Sequence, residues 1–455
     1  MTRSAATDGL PVPQRYWSIV ALALATIISV LDATLGNIAL PTIARDLQVS
    51  AAASVWVIIA YQIAVIATLL PFASLGEIVG YRRVSLVGLC IFALGAVSAA
   101  SSHSLLALSV SRIVQGLGAS AVMSVSGALV RFTYPHAMLG RALGINAMVI
   151  AISAAAGPTL AAAILAFADW RWLFGCEVPI ALAALFLGCS VLPASDPVPR
   201  RLNVGSALLN VSTFGFLITG AQVFVSGHDA WIAAPAVTAG LIAGALLVNR
   251  ELTEHLPLLP LDLMRSRLFG LSVGTSIGCF MAQSLAFVSL PFDFQVRLGY
   301  SVIQTGVLLT AWPLMIVVVA PFAGRFADRY SAGSMATLGM VIFGIGMALL
   351  ALIPLGATKL DIACRMAVCG LGFALFQAPN NRALLSAAPR SRSGAASGML
   401  SMARSLGSTI GAVGAAACLK ASIPHGSTIA LVSASIIAFM AAGFSSLRLI
   451  EVRTP

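Results

Sequence analysis

Four ionisable residues stand inside long apolar runs: Asp32 in LDATLGNIALP, Arg112 in SRIVQGLGAS, Arg365, and Arg404 in SMARSLGSTIG. A charge placed in hydrocarbon is costly, so each marks a candidate site for a proton, an ion or a counter-charge. Two more acids, Glu177 in FGCEVPI and Asp293 in LPFDFQ, lie near the ends of apolar runs. Asp293 has Arg297 four residues on, within helical pairing reach, whereas Glu177 has no cation at helical spacing and must find a partner or a proton.

Other chemistries lack their residues. No GxxxxGK[ST] is present, so ATP does not drive this chain directly. GLGASA at 116–121 is a fragment of a dinucleotide fingerprint inside an apolar run, where glycines serve helix packing. There is no HExxH, and the five histidines fall at loops or run ends, so no metal and no cofactor are expected. An intramembrane enzyme is disfavoured because no Ser/His or paired-Asp constellation shares one depth.

The elements that must position these residues are membrane spans. Only 9% of the 455 residues are charged and 59% are hydrophobic, against about a quarter charged in a soluble chain. Apolar runs between polar punctuation predict fourteen helices, at roughly 16–40, 52–76, 84–101, 104–130, 142–166, 172–192, 204–225, 231–249, 269–294, 302–323, 333–355, 361–380, 395–419 and 425–447. The run starting at 16 continues past a signal-peptide-like stretch to Leu40, which favours a retained first span. An even count puts both termini on one side. Five of the 26 Lys and Arg residues (Arg45, Arg171, Arg297, Lys359, Lys420) fall on the opposite side and three within spans, so the positive-inside rule makes the terminal side cytoplasmic. The basic residues are scattered, which argues against nucleic acid as a partner.

Counted from the outer ends of their spans, Asp32 and Arg112 each lie eight residues deep, about 12 Å, and could face one cavity. Glu177 lies about 8 Å inside span 6 by the same count. Turns recur after span 2 (ASLGEIVGYRR, 73–83) and after span 10 (GRFADRY, 324–330), and Arg365, Gly370 and Gly372 echo Arg112, Gly116 and Gly118. The chain therefore divides into a six-helix bundle at 1–195, two inserted spans with linkers at 196–265, and a second six-helix bundle at 266–455. Halves of this kind around a midplane cavity are the architecture of alternating-access transporters. Gly157-Pro158 in ISAAAGPTLAAA predicts a kinked, closely packed helix.

These motifs resemble the major facilitator superfamily, within its fourteen-span drug:proton antiporter family. The resemblance rests on Leu31, Asp32, Thr34, Asn37 and Pro41 in span 1, Arg112, Gln115, Gly116 and Gly118 in span 4, Gly157-Pro158 in span 5, the DWRWLF run and the two turns. Glu77 stands where the family usually has Asp, Ile78 and Tyr81 replace basic residues, and Glu177 and Asp293 occupy places usually uncharged. The resemblance implies an all-α major facilitator fold and proton-coupled export of small amphipathic, often cationic, compounds across a bacterial inner membrane by a monomer, with a proton gradient as energy source and no cofactor. Asp32 and Arg112 are then the proton-coupling pair. The substrate cavity is assigned Asp32, Asn37, Gln115, Glu177, Asp293 and Arg404. The gating turns are Glu77, Gly80, Arg82 and Arg83 with Gly324, Asp328 and Arg329, and Gly157 and Pro158 form the antiporter kink. A cavity-facing Glu177 would favour substrates with two positive centres. The same machinery could instead export a self-made metabolite.

Overall fold

The computed structural model describes residues 9–135, 138–195, 203–225, 230–253, 261–329, 331–388, 393–421 and 423–451. Among them are fourteen helices long and apolar enough to cross a bilayer, and no strand. Spans 1 to 14 are Gln14–Asp46, Ala51–Val79, Tyr81–Ala100, Leu105–Thr133, Leu139–Phe167, Arg171–Val191, Val204–Val225, Ala230–Thr253, Arg267–Arg297, Val302–Arg329, Ala332–Ala351, Lys359–Ser386, Ser393–Ala421 and Ile423–Glu451. Backbone polar groups find no water in hydrocarbon, so each apolar run closes its own hydrogen bonds as a helix. Span 2 is interrupted at Val55 and span 6 at Cys176, while span 9 ends in a wider turn, Asp293–Arg297.

Glycines set how closely the spans approach. In span 4, a Cβ on Gly116 would meet the Tyr61 carbonyl of span 2 at 2.6 Å, and one on Gly118 would run into the Phe92 amide of span 3. In span 12, Gly370 stands likewise against the Trp312 carbonyl of span 10 and Gly372 against the Phe343 amide of span 11. The Gly-Leu-Gly echo is thus a repeated packing scheme, because only a bare Cα lets two backbones come this near. Spans 7 and 8 pack on each other through Gly220 and Gly240. They are tied to span 2 by Asn210 Nδ2, which donates to the Ala67 carbonyl at 2.7 Å.

The first and last six spans meet where Gly306 of span 10 lies against Pro158 and Ala162 of span 5, with the Thr159 and Thr310 hydroxyls 2.6 Å apart. A Cβ on Gly157 would clash with the Thr34 hydroxyl, so this point also fixes span 5 on span 1. The helix runs unbroken through Pro158. Near the ends remote from the termini, Leu35, Ile38, Ala39 and Leu40 of span 1 share one core with Leu285, Ala286, Val288 and Leu290 of span 9, and Gln295 donates to the Ile38 carbonyl.

Three expectations need correction. Span 1 continues through Pro41 to Asp46, so Asp32 lies deeper in its helix than the count from Leu40 implied. Pro41 removes one amide donor, which a membrane helix tolerates. Arg365 is neither deep nor without a partner in its own helix: its Nε donates to Asp361, one turn earlier, at 2.9 Å, and its Nη1 donates to the Leu349 carbonyl at 2.5 Å. Counted from Gly-Leu-Gly, the residue matching Arg112 is Met366 and Arg365 matches Ser111, so the charge sits about 100° around the helix from the mirrored place. Arg448, one residue beyond the span expected at 425–447, lies inside span 14 instead, is only 3% exposed and donates to Thr275 Oγ1 at 2.6 Å.

The packing scheme predicts that Gly118→Leu, which forces spans 3 and 4 apart, lowers stability by about 1–3 kcal/mol. Gly127→Ala, where a Cβ meets nothing within 4 Å, should be neutral. Thermal unfolding of the purified variants, followed by tryptophan fluorescence, checks this.

Candidate functional site

Spans 1, 2, 4 and 6 converge on Arg112. The residue lies in the second turn of span 4, whose start is capped by Ser104 Oγ accepting from the Ala107 amide, and its side chain is 2% exposed. Its Nη1 donates both to Asp32 Oδ1 and to Gln115 Oε1, the latter at 2.7 Å. Its Nε donates to the Val57 carbonyl at 3.2 Å. The guanidinium carbon stands 4.4 Å from the ring centre of Tyr61 and 5.3 Å from that of Phe174, so π faces cover the cation where no acceptor does. Gln115 lies nearly one turn on and extends the network. Its Nε2 donates to Asp32 Oδ1 at 3.3 Å and to Glu177 Oε2 at 2.6 Å.

The result is a closed cluster of two carboxylates, one guanidinium and one amide. Asp32 is 1% exposed and Glu177 2%. Breaking an ion pair in such surroundings leaves an uncompensated buried charge, whereas adding a proton to the cluster or removing one changes its net charge at little geometric cost. Asp32 Oδ2, Glu177 Oε1 and the Tyr61 hydroxyl make no hydrogen bond of normal geometry among the described residues, although Asp32 has both Tyr61 and Glu177 within its reach. These three atoms are where a proton or a polar group could be accommodated.

The assigned residues separate into groups. Asp32, Arg112 and Gln115 do meet, and Glu177 joins them through Gln115, but this seals Asp32 and Glu177 inside the bundle. They do not line an open cavity wall here, because the guanidinium and the amide draw both carboxylates inward. Asn37 stays on span 1, its Nδ2 donating to the Ala33 carbonyl at 3.3 Å. Asp293 is withdrawn from any cavity: Arg297 grips both its oxygens at 2.7 and 2.8 Å, and Ser427 donates to Oδ1 at 2.5 Å. It clamps span 9 to span 14. Arg404 lies on span 13 with its guanidinium 5.5 Å from the Phe280 ring centre, and its Nε is buried without a hydrogen-bond partner among the described residues.

In the first turn, Gly80 has φ +100° and links spans 2 and 3, and the Tyr81 amide donates to Ser195 Oγ at 3.0 Å. Arg82 donates to the Cys189 carbonyl of span 6, so it caps a helix end instead of meeting an acid. Glu77 and Arg83 are exposed. Gly324, Asp328 and Arg329 fall on the last turns of span 10, and their side chains lie outside the described residues.

Sequence reasoning missed Tyr61, Phe174 and the Val57 carbonyl. Tyr61 stands out weakly as a hydroxyl in the apolar run VIIAYQIAV, and Phe174 ends the DWRWLF run without being singled out in it; the Val57 carbonyl carries no signal of its own. Among the described residues the cluster also lacks a counterpart in the last six spans. Matched through Pro41 and Pro291, Asp32 corresponds to Ala282; matched through Gly-Leu-Gly, Arg112 corresponds to Met366 and Gln115 to Cys369, all buried. That side carries an aromatic chain instead: Phe287 and Trp312 at 4.7 Å, Trp312 and Phe343 at 5.4 Å, Phe343 and Phe373 at 5.9 Å, and Phe373 and Phe280 at 5.5 Å between ring centres.

Comparison with known proteins agrees with this arrangement. The family model described as Major Facilitator Superfamily matches residues 22–412. The chain is 45% identical over 452 residues to a protein of Escherichia coli (strain K12) named "Uncharacterized transporter YebQ", covering 98% of each chain. It is 32% identical to the riboflavin transporter RibZ of Clostridioides difficile (strain 630), over 88% of this chain and 87% of that one. It is 29% identical to the multidrug resistance protein Stp of Mycobacterium tuberculosis (strain CDC 1551 / Oshkosh), over 87% of this chain and 74% of that one.

The geometry predicts that Arg112→Met, which strands the Asp32 carboxylate, destabilises the fold by about 3–5 kcal/mol. Adding Asp32→Leu should recover most of that loss, since an apolar pair removes the stranded charge. Thermal melts of the two single variants and the double variant give the coupling. Additive losses would show that Asp32 and Arg112 do not interact.

Proposed function

The chain belongs to the major facilitator superfamily, and from that premise we propose that it is a proton-coupled exporter of small amphipathic compounds. It would work by alternating access in a bacterial inner membrane, with both termini in the cytoplasm. The observation that carries this reading is the buried cluster of Asp32, Arg112, Gln115 and Glu177 in the first six spans, opposed in the last six by an aromatic chain that has one guanidinium, Arg404, over Phe280. A secondary transporter needs two cavity states of similar energy whose balance shifts with proton and substrate. A cluster in which one proton changes the net charge supplies the first requirement. At the half-buried ends of the aromatic chain, Phe287 and Phe280, the latter under the Arg404 guanidinium, offer stacking surface to substrates with flat apolar parts. Similarity to a multidrug resistance protein and a transporter fold without sequence signs of catalysis support export over an enzymatic role.

In this reading the closed cluster is one end of the cycle. Rocking the two halves apart uncovers span 1 where it packs on span 9, lets water and a proton reach the carboxylates, and weakens the bond between Asp32 and Arg112. The contact of Gly306 with Pro158 and Ala162 is where the two halves rock, because the small and rigid residues there present a flat, close surface. A second reading is export of a self-made metabolite by the same steps; the similarity to a riboflavin transporter supports a metabolite as the substrate.

The test uses the purified protein in vesicles with an imposed pH gradient, supplied in turn with tetraphenylphosphonium, ethidium and riboflavin. At least one should accumulate against its gradient in wild-type vesicles and collapse with a protonophore. Asp32→Asn should reduce that accumulation to the level of empty vesicles while the variant stays folded. Uptake insensitive to the protonophore would sink the proton-coupled reading, and preference for riboflavin over both cations would favour metabolite export.

A further inference from the structure

We infer that Glu177 is a proton-binding site: in the closed cluster its carboxyl is the protonated one, with the proton on Oε1, and Asp32 is the ionised partner of Arg112. The argument begins with charge. Asp32, Arg112 and Glu177 are each at most 2% exposed. If both acids were ionised, the cluster would hold one uncompensated negative charge in a dry interior, and such a group neutralises itself. One proton is therefore retained, and the hydrogen bonds decide where.

Asp32 Oδ1 accepts from the guanidinium and from Gln115, so its ionised form is held by a full charge and a second donor. Glu177 accepts from a single neutral donor, Gln115 Nε2 at 2.6 Å. Charge-assisted bonds are roughly twice as strong as neutral ones, so the anion belongs on Asp32. The orientation of Gln115 is not free. Its Oε1 is engaged by Arg112 at 2.7 Å, which turns the amide nitrogen towards Glu177. Oε2 of Glu177 must then accept, and the proton is left to Oε1, the oxygen without a hydrogen-bond partner among the described residues.

Other groups around Glu177 leave this balance unchanged. Span 1 presents Asp32, span 2 presents Tyr61 and span 4 presents Arg112, while on span 6 itself Cys176 is adjacent and Arg171 is drawn away to Asp46 and Asp169. Span 3 also packs on span 6, but its Arg82 reaches the far end of that helix, at Cys189. Glu177 opens the helix Glu177–Val191, whose amide dipoles favour the anion, an effect smaller than the cost of an uncompensated charge in a buried site. Gln115 links the two carboxylates, so a change at the Asp32 and Arg112 pair is transmitted to Glu177 through one side chain. The use of this proton in transport rests on the export reading above, whereas its presence on Glu177 does not.

Occupancy can be measured without a substrate, by infrared difference titration of the purified protein, following the C=O stretch of a protonated carboxyl. Neutralising either acid would leave the other to pair with Arg112, so conservative exchanges discriminate where neutral ones do not. Wild type should show a protonated-carboxyl band that is lost in Glu177→Gln. The band should change position and titration midpoint in Glu177→Asp, and keep both in Asp32→Glu. A band that shifts in Asp32→Glu and not in Glu177→Asp would overturn the assignment, as would one that persists in Glu177→Gln. If Glu177→Gln fails to fold, the two conservative variants decide alone. Failure of wild-type vesicles to couple transport to protons would remove the export reading while leaving this result standing.

Discussion

Arg112 is a full positive charge on a side chain only 2% exposed, shut away from bulk solvent. Everything near it answers that constraint. Asp32 supplies the counter-charge, Gln115 and the Val57 carbonyl take further donors, and Tyr61 and Phe174 cover the faces of the guanidinium. These groups come from four separate spans, so the solvation shell of one side chain is also a joint between helices. Removing one partner leaves a desolvated charge, while adding or removing a proton changes the balance without moving the backbone far. A joint that is stable in one charge state and stressed in another is a physical means of coupling protonation to helix movement.

The joint requires backbones to approach closely, and glycine makes that possible. Gly116 brings span 4 against the Tyr61 carbonyl, one turn from Arg112, and Gly118 seats the same helix on span 3. Hydrocarbon provides no hydrophobic drive between helices, so the fit of small residues against bare backbone does the holding. The last six spans use the same scheme at Gly370 and Gly372 but place Met366 where Arg112 would stand. One architecture therefore serves two different interiors, a polar one and an aromatic one.

Much of this was legible in the sequence. The fourteen spans, the repeat and the singular status of Asp32 and Arg112 follow from the cost of exposing polar groups to lipid, a local property that each run of about 20 residues displays by itself. Gln115 was marked as a motif residue and Glu177 as an acid short of a partner. What the sequence alone determined is which residues could not be left unpaired in a membrane. It could not say who pairs with whom, because partners on different helices are related by rotation and depth, and one residue of shift turns a side chain by about 100°. Tertiary structure decided that Glu177 joins Asp32 through Gln115, that Asp293 is spent on Arg297 and Ser427, and that Arg365 belongs to Asp361. The physical reason is that a helix fixes the spacing of its own side chains, while the helices that face it are chosen by packing over the whole bundle.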